Sequence, residues 1–266
     1  MKPNMNVWKS FLLITALALS AGVLSANDRH GDDNKGKEEK DLPNHAQVLT
    51  ALKSVVANGT NGGIGLNMWA TLVNRDGVVV TVAFSGANRG EQWPGSRVIS
   101  AQKANTANAF SLPGLALSTA NLYSAVQPGG TLFGLQESNP VDTSVAYRGP
   151  SENYGKPNDP MAGRKIGGVN VFGGGLALYD KNGKLVGGLG VSGDTSCTDH
   201  IIAWKIRHAL NLDNVPVGVS ATHDDNIIYD ITNGSSAGGF GHPSCDANAT
   251  SIGSNLRVTH PTGPNP

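Results

Sequence analysis

The chain is short of cysteine, of aromatic residues, of net charge and of long apolar runs, and these shortages narrow what it can be. Two cysteines cannot build a structural zinc centre by themselves, because such a site takes about four ligands. With 39% hydrophobic and 6% aromatic residues, 35 Gly and 14 Pro, the composition of the 266 residues suits one ordinary domain with poorly ordered ends. Twenty basic residues balance twenty acidic ones, so no long-range field draws in nucleic acid or an anionic membrane, and a nucleic-acid role is excluded. No apolar run reaches the roughly 20 residues of a membrane-spanning helix. Signatures of the zinc protease, P-loop, Rossmann and covalent-haem types are missing. Gly190-Val191-Ser192-Gly193 is not a nucleophile elbow, since Asp194 stands where that motif needs its last glycine.

What is present begins with an export signal. Lys2 and Lys9 flank the start of an apolar stretch, Phe11 to Leu19, followed by small residues ending Val23-Leu24-Ser25-Ala26. That is the pattern of a secretory signal peptide over residues 1–26, giving a secreted or periplasmic product without a membrane span in its mature form. Residues 27–43 are a charged linker that buries too little apolar area to offset the entropy of ordering it. In an oxidising compartment Cys197 and Cys245 are expected to form a disulfide, contributing about 4 kcal/mol by loop closure and tying the tail, residues 213–266, to the helix that carries Cys197.

Between linker and tail the order is helix, hairpin, helix, helix, hairpin, helix. Pro43 and Asn44 introduce a helix over His45 to Ala57, with Val48, Leu52 and Val55 on one face. The first hairpin pairs Leu66–Asn74 with Val78–Phe84 around Arg75-Asp76-Gly77. Ser96 is the expected cap of a helix from Arg97 to Phe110, whose Ala101, Ala104 and Ala107 suit close packing on a sheet. A shorter helix, Thr119 to Val126, a long loop with a strand at Thr131–Leu135, and a second hairpin around Asn182-Gly183 follow. The last helix, Cys197 to Leu210, is expected to start on a Ser196/Asp199 capping box; beyond it come a short strand, Ile227–Ile231, and a frayed end from Thr250. The fold class is α+β, one mainly antiparallel sheet covered by helices.

Three stretches, LVNRDGVVVTVAFSGANRG, SRVISAQKANTANAFS and the terminal unit GGGLALYDKNGKLVGGLGVSGDTSCTDHIIAWKIRHAL, stand in the order seen in the GlcG/HbpS-type proteins, the haem-binding or haem-degrading DUF336 family, which residues 44–212 resemble. The resemblance implies a profilin-like sheet covered by helices, assembly into a homo-oligomer, and haem or a related small molecule bound on or between subunits. The chain departs from that pattern in an insertion, about 135–165, and in its tail, both placed to cover a pocket.

Several residues are candidates for ligand contact. His200, in the first turn of the last helix, is either an axial ligand to haem iron or a histidine facing water. Trp204 and His208 share its side of the helix; at about 1.5 Å rise per residue the two histidines are about 12 Å apart and cannot share a metal. The stripe suits a flat apolar ligand, a subunit contact, or packing onto the tail. A closed disulfide would carry His242 towards His200 as a second metal candidate. Arg89, Arg97 and Lys103 are cations suited to ligand carboxylates or to salt bridges. Gly190 and Gly193 leave room for a ligand or for a helix packed on the strand. His30 with Asp32 and Asp33, and His223 with Asp224 and Asp225, are weak cation candidates.

Overall fold

The computed structural model describes residues 42–263. The expected signal peptide, nearly all of the charged linker, and His30, Asp32 and Asp33 lie outside them.

Asn44 starts α1, His45–Ala57, through a reciprocal cap in which its side chain accepts from Gln47 N and its own N–H donates to Gln47 Oε1. Val48, Leu52 and Val55 are buried along one face, as their spacing requires. Strands β1, Trp69–Asn74, and β2, Val79–Phe84, form the first hairpin; β3, Gly175–Tyr179, and β4, Leu185–Ser192, form the second. All neighbours are antiparallel in the order β2-β1-β4-β3, so β1 and β4 are central, with Thr71 opposite Gly190.

Helix α2, Gly95–Phe110, covers one face of the sheet; α1 and α3, Ser196–Ala209, cover the other. Period-2 alternation on β4 sorts the layers. Leu189 and Val191 join α1 and α3 in the main core, whereas Gly188 and Gly190 turn to α2. A Cβ at Gly190 would stand 1.9 Å from Ser100 O and 2.4 Å from Ala104 N. These glycines therefore serve the approach of a helix backbone and leave no space for a ligand. Ala101, Ala104 and Ala107 are the matching small residues of α2. Because helices cover both faces, no strand shows the alternating burial of a half-exposed sheet.

Both sheet edges are blunted. The insertion pairs with β2, where Val79 N donates to Arg164 O and Gly163 N donates to Val79 O, each at 2.8 Å. At the other edge Tyr179 N donates to Leu212 O at 2.9 Å. Such cover withdraws unpaired strand groups from outside partners.

Several local expectations are corrected. Pro94, not Ser96, precedes the first turn of α2. Thr195, not Ser196, caps α3, and Asp199 instead reaches back to accept from Gly193 N and Asp194 N. The helix expected over Thr119–Val126 is two 3-10 turns, Thr119–Leu122 and Ser124–Val126. Residues 131–135 turn rather than extend, and the strand expected at 227–231 shrinks to Ile231–Thr232 paired with Ser235–Ser236. As far as residue 263 the end is not frayed: Asp246 caps α4, Ala247–Ser254, and a further helical turn, Leu256–Thr259, buries Leu256 completely. Among the described residues no helix is long and apolar enough to cross a membrane.

Gly190→Ala should drive a methyl group into the backbone of α2 and destabilise the fold by about 3 kcal/mol or more. Urea unfolding measures this, and a change below about 0.5 kcal/mol would contradict the close approach.

Candidate functional site

The chemistry-bearing residues gather in two places, a sealed polar cluster where α3 begins and an open crevice beside the insertion. In the cluster Lys103, from α2, reaches past Gly174 to Asp199 Oδ2 at 2.6 Å and Val191 O at 3.1 Å. Gly174 is required there, since a Cβ would sit 2.9 Å from Asp199 Cβ and 3.2 Å from Lys103 Nζ. Burial raises the Asp199 carboxyl to about 6 against the pull of Lys103, which leaves it ionised at neutral pH. Gly193, at the exit of β4, donates its N–H to Asp199 while its carbonyl accepts from Gln92 Nε2 at 2.7 Å.

The disulfide Cys197–Cys245 is closed, with Cα atoms 6.0 Å apart, and it brings His242 to the start of α3. His242 Nδ1 lies 2.7 Å from Pro243 O, which can only accept, so in the neutral ring Nδ1 carries the proton. Nε2 then accepts from Ser196 Oγ at 2.6 Å, and that hydroxyl in turn accepts from Gly173 N. His200 is fully buried. Its Nε2 meets Asn226 Oδ1 at 3.3 Å and Ile227 N at 3.2 Å, both from the tail, and its Nδ1 has no partner. Burial drives His200 down to about 3, helped by the charges of Arg207 and His242, and drives His242 down to about 4. His200 therefore neither faces water nor opens onto a cleft, and His242 points elsewhere.

The tail also covers the rest of the stripe. Trp204 Nε1 donates to His260 O at 2.9 Å, and His208 Nδ1 lies 2.6 Å from Asp213 Oδ2. Under the same cover Arg207 and Asp225 form a fully buried pair, Nη1 to Oδ2 and Nη2 to Oδ1 at 2.7 Å each. Packing onto the tail is thus the observed role of the His200, Trp204, His208 stripe. Asp224 is taken up by Ser220, Thr222 and Asn226, and among the described residues no cluster of three or more His, Cys, Asp or Glu side chains could hold a metal ion.

The open crevice lies where β1 begins and β2 ends, its apolar recess against α2 and its polar recess against α1. One recess, about 400 Å³, is mainly apolar, with Trp69, Pro94, Val98, Tyr147 and Tyr154 in its wall and Arg89 at its edge. A second, about 350 Å³, is more polar and holds His45, Lys53, Arg89, Glu152 and Lys156. Of the three cations expected at a ligand, Arg89 alone is exposed here. Arg97 is 1% exposed and committed to Asp159, Nε to Oδ2 at 2.9 Å with Nη2 to Oδ1, and to Ala146 O at 2.8 Å. Its guanidinium lies 3.6 Å from the centre of the Tyr154 ring. Asp159 also accepts from Gly155 N and Met161 N, so one buried ion pair shapes the insertion into the crevice wall.

Sequence reading missed Trp69, His45, Tyr147, Tyr154 and Asp159. The signal that was available is a pair of tyrosines inside an otherwise polar, Gly- and Pro-rich insertion.

At pH 7.5 the buried His200 and His242 are neutral in the folded chain. Below about 6.5 the unfolded chain binds protons at both that the folded chain refuses until about 3 to 4. Stability should fall as pH drops through that window. Asp199, which takes up its proton at about 6 when folded, opposes the trend with a single proton. Urea unfolding at pH 7.5 and 4.5 checks the net loss, and greater stability at pH 4.5 would refute it.

Among the solved structures similar to this chain, three superpose on it modestly. A PduOC:heme complex is 23% identical, covering 63% of this chain and 91% of that one at a TM-score of 0.43. Klebsiella pneumoniae protein ORFY is 25% identical, covering 62% and 87% at 0.42, and a double mutant of Streptomyces reticuli HbpS is 15% identical, covering 75% and 99% at 0.37. No curated protein sequence matches. The family model described as haem degrading protein HbpS-like matches residues 44–207, which span both hairpins, α1, α2, nearly all of α3 and the crevice, and the chain therefore belongs to the HbpS-like family.

Proposed function

We propose that this is an exported, oligomeric protein that binds haem or a related tetrapyrrole, or another flat acidic small molecule, in the crevice beside the insertion. The observation that carries the reading is the pairing of an apolar, aromatic-walled recess with an adjoining one bearing Lys53, Arg89 and Lys156. A flat ring system with carboxylate arms has the same two-part chemistry. Membership of the HbpS-like family supports haem as the ring system.

The donor set fits that group. His45 Nε2 lies 2.9 Å from Gly155 O, so in the neutral ring Nε2 carries the proton and Nδ1 keeps the one lone pair that the residue can offer to an iron in the polar recess. Arg89, whose fork can take a carboxylate with two hydrogen bonds, is the expected partner of a propionate. Bound haem would supply a redox-active iron, and the roles of the chain are to orient it and shield one face. His200 is a poor candidate by comparison, because the tail would have to leave before a ligand could reach it.

Titration with haemin should give a saturable Soret change at micromolar concentration. His45→Ala should alter the bound spectrum, Arg89→Ala should weaken binding about tenfold, equal to about 1.4 kcal/mol, and His200→Ala should leave the spectrum unchanged. The absence of a saturable change in the wild type would reject the reading. Adding a reductant and oxygen to the complex separates storage, in which the spectrum persists, from haem degradation, in which it bleaches.

A further inference from the structure

We infer that the Tyr154 side chain sets the size of ligand that the crevice accepts, by standing as a partition between its apolar and its cationic recess. The inference rests on the crevice being the ligand site, and it concerns a residue of the insertion, where this chain departs from the sequence pattern of the family it resembles.

Four residues line both recesses: Asn88, Arg89, Ser151 and Tyr154. Asn88 and Ser151 are short, and Arg89 is exposed at the mouth, which leaves the half-buried Tyr154 as the dividing wall. Either recess alone, at about 400 or 350 Å³, is near the lower end of the roughly 300–1,000 Å³ range of small-molecule pockets. Each is suited to a single small aromatic acid. A macrocycle with acidic arms needs both.

The wall is held in a way that lets it move. Its ring rests on the Arg97 guanidinium, which Asp159 and Ala146 O fix in place, so the surface beneath it is rigid. Its hydroxyl makes only a long bond, 3.3 Å, to Arg148 O. The next residue, Gly155, has φ of +79°, and a Cβ there would lie 2.7 Å from Phe84 Cβ, so the backbone is pinned while the side chain above it is lightly tied. Rotating the phenol away from Arg97 joins the recesses at the cost of one cation–π contact, one weak hydrogen bond and the ring's partial packing on the apolar cluster around Trp69 and Phe84, terms that a large apolar ligand filling the same space replaces.

The test uses two dyes that need no haem, anilinonaphthalene sulfonate and its covalent dimer, each an apolar ring system carrying anionic groups. Fluorescence titration gives the affinity ratio, dimer over monomer, for each protein. Tyr154→Ala should raise that ratio at least about tenfold over the wild type, and Tyr154→Phe should leave it within about twofold, since the ring and not the hydroxyl forms the wall. Tyr154→Leu, which keeps an apolar side chain on Arg97, should move the ratio in the same direction and serves if the alanine variant is poorly folded. An unchanged ratio in both shortened variants, or no saturable dye binding to any of these proteins, overturns the inference. If the ratio shifts as expected while haemin binds neither wild type nor variant, the tetrapyrrole reading falls and the role of Tyr154 stands.

Discussion

The backbone of α2 lies directly on β4, and most of what is distinctive in this chain follows from that contact. Gly188 and Gly190 remove the side chains that would hold a helix off the strand, and Ala101 and Ala104 answer them from the helix. An approach this close fixes the helix in rotation as well as in height, since turning it would drive a larger side chain into the strand. Arg97 and Lys103, about 9 Å apart along the axis by rise per residue, are thereby aimed in set directions. Arg97 goes to the insertion and Lys103 to the start of α3.

Three buried ion pairs share one architectural pattern. Arg97–Asp159 ties the insertion to α2, Lys103–Asp199 ties α2 to α3 across the end of the sheet, and Arg207–Asp225 ties the tail to α3. Burying such a pair gains little net stability against an apolar replacement, but removing one partner strands a charge in the interior, with a penalty of about 3–5 kcal/mol. Each pair therefore acts as a register mark that tolerates one placement of the two segments it joins. The same commitment explains why two of the three cations expected at a ligand are closed to it, and why Arg89, which has no buried carboxylate to answer, stays available at the crevice mouth.

The segment 135–165 and the tail act oppositely on their surroundings. The tail closes, sealing His200, Trp204 and His242 under the disulfide, while the insertion covers the edge of β2 and builds an aromatic wall around an opening. A ligand thus meets the molecule at the β2 edge beside the insertion, between α1 on one side of the sheet and α2 on the other.

Local rules made much of the scaffold legible in the sequence. Asn-Gly and Asp-Gly turns marked both hairpins, the Asn44 cap and the Val48, Leu52, Val55 spacing marked α1, and the small residues of α2 announced close packing on a sheet, because turn geometry and side-chain periodicity are properties of neighbours in the chain. Which cap closes a helix was less legible: Thr195 and Ser196 are adjacent candidates, and the choice depends on His242, whose ring engages the Ser196 hydroxyl from 46 residues away. The functional surface was decided by tertiary structure alone. A histidine at a helix start carries no mark saying whether the chain will later fold over it, and here Asn226 and Ile227 do so. Nor does an arginine show whether a carboxylate 62 residues on will claim it, as Asp159 claims Arg97. Sequence fixes the period of the elements and the chemistry of each side chain, whereas burial and pairing between distant segments decide which of those side chains a ligand can reach.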